Sequence, residues 1–121
     1  ILDYINNFSN DRFGNFKTKI MNDFQNLLYG KLILIYGFGK SGHSSYEFLK
    51  KNNTCKIIDD NHQKIVSNLK EKFINPKKLK KFYFDFIVLS PGIDIKNCKL
   101  SKYLKKNKSK IISELDIFYL S

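Results

Sequence analysis

An apolar strand that stops on a glycine and passes straight into a helical pattern leaves a chain few folds to choose from. Leu32 to Ser44 read Leu-Ile-Leu-Ile-Tyr-Gly-Phe-Gly-Lys-Ser-Gly-His-Ser, with glycines at 37, 39 and 42. A strand that is apolar at nearly every position is covered on both faces, as in a parallel sheet. Parallel strands need long crossovers, usually helices. Gly37-x-Gly39-x-x-Gly42 between such a strand and a helix is the pattern of a nucleotide-binding βαβ unit. The first turn of the helix leaves backbone N–H groups unpaired at the positive end of its dipole, so the loop favours a phosphate.

The rest of the chain keeps the alternation. Strands are expected over 31–36, 55–58 and 85–90, with short ones at 73–74 and 111–112. A helix starts near Ser41 and runs to about Lys51, with Ser45, Phe48 and Leu49 on one face, and Asn52-Asn53 ends it. A second covers about 61–72 with Ile65, Val66 and Leu69 inward, and a lysine-rich turn or helix starts at Pro76. A further helix over about 99–106 turns Leu100, Tyr103 and Leu104 inward, and Glu114 to Leu120 opens a last one. The expected class is α/β: one Rossmann-like domain with a parallel sheet of about five strands flanked by helices. Residues 1–20 are an Asn-rich stretch with scattered Phe and are read as an extension, 21–113 as the domain, and 114–121 as the start of a helix or linker.

In the dinucleotide fingerprint Gly37 makes the tight turn, Gly39 lets phosphate approach the backbone, and Gly42 lets the helix pack on the sheet. Asp59, at the end of the next strand, takes a ribose hydroxyl. Lys40 and Ser41 add a cation and a hydroxyl at the helix start. Gly39-Lys40-Ser41 also imitates the end of an ATP-binding P-loop, but that loop needs a glycine where Leu34 stands inside the strand, so ATP binding here is rejected. The C-terminal ends of parallel strands share one edge, which puts Ser90-Pro91-Gly92-Ile93 on the same rim as the glycine loop. Pro91 stiffens that turn and Gly92 admits close backbone approach. His43 and His62 read as surface residues, and Glu114 and Asp116 as acids that offset a helix dipole.

The net charge is +11, yet of the 22 basic residues only Arg12 is arginine. Nucleic-acid modules rely on Arg for bidentate contacts, so a nucleic-acid partner is not expected, although the positive field helps to gather a small phosphorylated anion. No apolar stretch approaches the roughly 20 residues that span a bilayer, and no secretory leader is recognised. Cys55 and Cys98 match no metal-ligand spacing and read as reduced thiols of a cytoplasmic protein.

Together, Ile35-Tyr-Gly-Phe-Gly-Lys-Ser-Gly-His-Ser44, Asp59, Ser90-Pro-Gly-Ile93 and Ile112-Ser-Glu-Leu-Asp-Ile-Phe118 resemble the N-terminal domain of the Mur ligases of peptidoglycan synthesis. Met21-Asn-Asp-Phe-Gln25 looks like the usual start of the D-glutamate-adding branch, and the resemblance covers about residues 21–121. It implies a first domain that holds the UDP part of UDP-N-acetylmuramoyl-L-alanine. Gly39, Lys40, Ser41 and Gly42 would surround the diphosphate, with Gly37 shaping the loop. Asp59, Asp60 and Asn61 would lie near uridine, and Ser90, Pro91, Gly92 and Ile93 would border the nucleotide. The chain departs from the family at Asp60 and Asn61, where a Thr or Ser and then an Arg are usual, so a stacking guanidinium is missing. The resemblance further implies that catalysis, ATP and magnesium belong to central and C-terminal domains beyond this stretch, which holds no catalytic or metal-binding residue of its own. The alternative reading is an NAD-binding domain of a regulatory protein or oxidoreductase, with Asp59 on the adenosine ribose.

Overall fold

The computed structural model of the chain describes residues 22–23, 26–61 and 67–120. The proposed 1–20 extension and the expectations for Ile65, Val66 and His62 lie outside the described residues.

Four strands are present among the described residues: β1 (Leu32–Tyr36), β2 (Thr54–Ile58), β3 (Phe86–Leu89) and β4 (Ile111–Ser113). The helices are α1 (Lys40–Leu49), α2 (Ser101–Lys106) and α3 (Glu114–Leu120), with 3-10 segments over Ser67–Lys72, Pro76–Lys81 and Lys108–Lys110. Every strand pair is parallel and the order across the sheet is β2-β1-β3-β4. The chain moves outward from β1 to β2, then crosses back to lay β3 on the other side of β1. That reversal makes the crevice beyond the ends of β1 and β3 the place where such a sheet takes a ligand.

The class is as expected, with one difference in strand count. Phe73-Ile74 makes a single parallel bridge, Phe73 to Ile57, rather than a strand. Ile74 N–H donates to the Ile57 carbonyl at 2.9 Å. Only two apolar residues stand there, and Pro76, which has no N–H, already opens the following 3-10 turn under an Asn75 cap on Lys77 N–H. The described end of the helix expected over 61–72 is 3-10 instead of α. Its tighter winding carries Phe73 N–H onto the Lys70 carbonyl and delivers Phe73 to the sheet edge.

The alternation along β1 divides the core into two layers. Ile33 and Ile35 face Tyr46 and Leu49 of α1 and Ile117 of α3, joined by Cys55, Ile57 and Val88. Leu34 and Tyr36 face the opposite layer with Leu79, Phe84, Leu100 and Leu104. All five β1 residues except Leu32 are buried, which is why the strand reads as a continuous apolar run. Asp85 accepts from Leu32 N–H at 2.9 Å and so ties the starts of β1 and β3 together. At the other end of α1, Asn53 donates to the Leu28 and Leu49 carbonyls and accepts from Lys31 N–H, closing the turn into β2.

Candidate functional site

All twelve residues singled out from the sequence lie at the C-terminal edge of the sheet, after β1, β2 or β3. Gly37 continues the ladder beyond β1, its N–H donating to the Ile58 carbonyl at 2.8 Å, and then turns at φ +91°. A side chain has no room there, since a Cβ would sit 2.8 Å from Ser90 Cβ. Phe38 is buried and packs edge-on against Tyr46 and Phe73, so it anchors the loop in the core between two glycines. Gly39 caps α1 without any side-chain hydrogen bond, and the first turn carries no acid. The first helical bond runs from His43 N–H to the Gly39 carbonyl, which leaves the Lys40, Ser41 and Gly42 amides without helical acceptors. Space around Gly39 is open, with nothing within 4 Å of where a Cβ would stand, whereas a Cβ on Gly42 would strike the Gly37 carbonyl oxygen.

The residues after β2 brace this loop. Asp59 Oδ2 accepts from Phe38 N–H and Oδ1 from Asn61 N–H, each at 2.7 Å. Asp60 accepts from the Tyr36 hydroxyl at 2.6 Å. Burial first, and then the bond to Asp60, push the Tyr36 phenol far above its ordinary pKa. After β3, Ser90 N–H donates to the Tyr36 carbonyl at 3.1 Å and Ile93 N–H closes the turn onto the Ser90 carbonyl at 3.0 Å. The Ser90 hydroxyl lies 3.2 Å from the Gly37 carbonyl oxygen. Pro91 and Gly92 are exposed at the turn's tip. Beside it opens a cleft of about 350 Å³, bordered by Lys40, Ser41, Phe48, Pro91, Glu114 and Leu115. Uncapped amides, a lysine, hydroxyls and an open backbone approach thus converge at the sheet's switch point, an arrangement suited to a phosphate-bearing ligand.

The chain is similar in sequence to known proteins. The chain is 30% identical over 111 residues to a UDP-N-acetylmuramoylalanine–D-glutamate ligase of Limosilactobacillus fermentum, covering 84% of this chain and 23% of that protein. It is 34% identical over 99 residues to the ligase of the same name from Buchnera aphidicola (74% of this chain, 22% of the relative). With that of Rickettsia bellii it shares 36% over 91 residues (70% and 20%). The chain is a sequence relative of the Mur ligases. It spans about a fifth of the length of the relatives it matches. No protein-family model and no solved structure matches it.

Sequence reasoning about this rim missed three residues. Phe38, given no role between the fingerprint's first two glycines, is the plug of the loop. Tyr36, read as the end of a strand, holds Asp60. Glu114, read as a dipole-offsetting acid, is 6% exposed and lies 3.1 Å from the Ser90 hydroxyl through Oε1. Its Oε2 is buried without a hydrogen-bond partner. The available signal was its place directly after β4, on the same edge as the other strand ends.

Proposed function

We propose that this chain is the UDP-precursor-binding domain of a ligase that adds D-glutamate to UDP-N-acetylmuramoyl-L-alanine in the bacterial cytoplasm. The observation that carries the reading is the uncapped start of α1 packed beside the Ser90-Pro91-Gly92 turn at the switch point. Gly39, Lys40, Ser41 and Gly42 hold the diphosphate. Asp59, Asp60 and Asn61 lie toward uridine, and Ser90, Pro91, Gly92 and Ile93 border the nucleotide. In the longer protein, central and C-terminal domains supply ATP and magnesium, and the precursor's carboxylate is activated there for attack by the D-glutamate amine. This stretch alone binds and does not ligate: a P-loop would need glycine where Leu34 lies buried in β1.

Similarity to the D-glutamate ligases favours this reading over an NAD site. Asp59 serves either nucleotide: its oxygens accept the Phe38 and Asn61 amides, and a carboxylate keeps further lone pairs for a ribose hydroxyl. Calorimetric titration with UDP and, separately, fluorescence titration with NADH test the assignment. Saturable UDP binding without an NADH response is expected. Tight NADH binding with no heat from UDP overturns the proposal.

A further inference from the structure

The Ser90 hydroxyl faces two acceptors with one proton. The Gly37 carbonyl oxygen is 3.2 Å from Oγ and Glu114 Oε1 is 3.1 Å from it. A serine hydroxyl donates once and accepts through its lone pairs. With an ionised Glu114, one of these two contacts would set oxygen against oxygen with no proton between them. With a neutral Glu114, both are satisfied.

We infer that Glu114 is a positioning residue that works as a neutral acid, its carboxyl donating to Ser90 Oγ while the Ser90 hydroxyl donates to the Gly37 carbonyl. This relay links the ends of β4, β3 and β1 and fixes the loop that faces the phosphate. Oε1 also lies beside the third glycine of the loop, where a Cβ added to Gly42 would stand 3.7 Å from it.

The surroundings agree with a neutral group. Glu114 is buried, Oε2 has no partner, and the adjoining cleft is bordered by Phe48, Leu115 and Pro91. Burial raises the carboxyl above its ordinary pKa, and the opposing contacts of Ser90 and then Ser41 do not reverse the direction. Among the described residues, the charged or titratable groups on the helices around it are Lys40, exposed at the cleft, His43 and Glu47 of α1, the last paired with Lys50 at 2.7 Å, and Asp116 of its own helix. Asp116 pairs with Ser113, accepting from its N–H at 3.3 Å while its own N–H donates to the Ser113 hydroxyl at 3.1 Å. Apart from Lys40, the glycine loop and the Ser90–Ile93 turn contribute no charge. At Glu114, an arriving phosphate therefore meets a neutral acid rather than an anion additional to Asp59 and Asp60.

The relay can be tested without a ligand, and its effect on affinity rests on the nucleotide-binding reading above. In the ligand-free protein, the Glu114 carboxyl carbon followed by NMR should titrate above an ordinary glutamate, and the Gly37 to Gly42 amide signals should move with the same midpoint. In E114Q, whose amide can still donate to Ser90, those amides should hold the low-pH position at every pH. A carboxyl that titrates at or below the ordinary value overturns the inference, as do loop amides indifferent to it. With UDP-N-acetylglucosamine, whose diphosphate is esterified at both ends and so lacks the monoester proton that titrates at about pH 6, wild-type affinity should fall severalfold as Glu114 ionises, while the E114Q profile stays flat. Parallel profiles contradict the relay. S90A should uncouple the loop amides from the Glu114 titration. If no uridine nucleotide binds at any pH, the functional reading fails while the ligand-free titration still decides the relay.

Discussion

A Cβ on Gly42 would fall on the carbonyl oxygen of Gly37. The third glycine of the loop is therefore required by backbone contact between helix and loop, independent of any ligand. Gly42→Ala should destabilise the fold by about 1–3 kcal/mol, the usual range for overpacking a filled site. Chemical denaturation measures it, and a midpoint equal to wild type would contradict the packing described.

Gly39 offers the contrasting case. Its φ is −81° and no atom lies within 4 Å of an added Cβ. Gly39→Ala should cost only a few tenths of a kcal/mol up to about 1 kcal/mol of stability as a changed helix cap. It should nonetheless weaken UDP binding, because the methyl stands where the proposed site admits phosphate. Loss of stability comparable to Gly42→Ala, with affinity intact, would invert the roles of the two glycines.

Asp59 holds the loop from below through Phe38 N–H and the adjacent turn through Asn61 N–H. Asp59→Ala removes the acceptor of both amides; the exposed Asn61 N–H turns to water, whereas loss of the part-buried Phe38 bond should destabilise by about 1–3 kcal/mol. Hydrogen exchange at the Phe38 amide should accelerate in the variant. Unchanged exchange there would show that another group holds the loop.

Glu114 gives stability a defined pH dependence. Its folded pKa is raised, so its contribution is fully present below the unfolded value and is lost as pH rises through the folded one. The unfolding free energy of wild type relative to E114Q should therefore fall as pH increases across that window. A difference that rises with pH would mean that the folded state prefers the carboxylate.

The two thiols should separate cleanly. Burial pushes Cys55 up to about 11, and it is 3% exposed in the α1-side core. Cys98 is half-buried near the start of α2. A thiol reagent should modify Cys98 in the native protein and Cys55 only on unfolding. Mass spectrometry of the labelled peptides reads the order, and native labelling of Cys55 first would contradict the packing.

Much of this was legible because it depends on local pattern. The apolar run of β1, the glycine spacing and the Pro91-Gly92 break are short-range signals whose meaning is fixed by backbone geometry. The shared rim followed from parallel topology alone. What escaped depended on which strands are neighbours. Glu114 reaches Ser90 only because β4 lies against β3, and Asp85 meets Leu32 only because β3 lies against β1. The short strand at 73–74 became a bridge because Pro76 begins the next turn too soon to allow more pairing.

The most direct test of the central claim is amide chemical-shift mapping of this chain during titration with UDP-N-acetylmuramoyl-L-alanine. Saturable shifts concentrated at Gly39–Gly42 and at Ser90, Gly92 and Ile93 are the result predicted. Shifts confined elsewhere, or an unmoved rim at millimolar precursor, would contradict it.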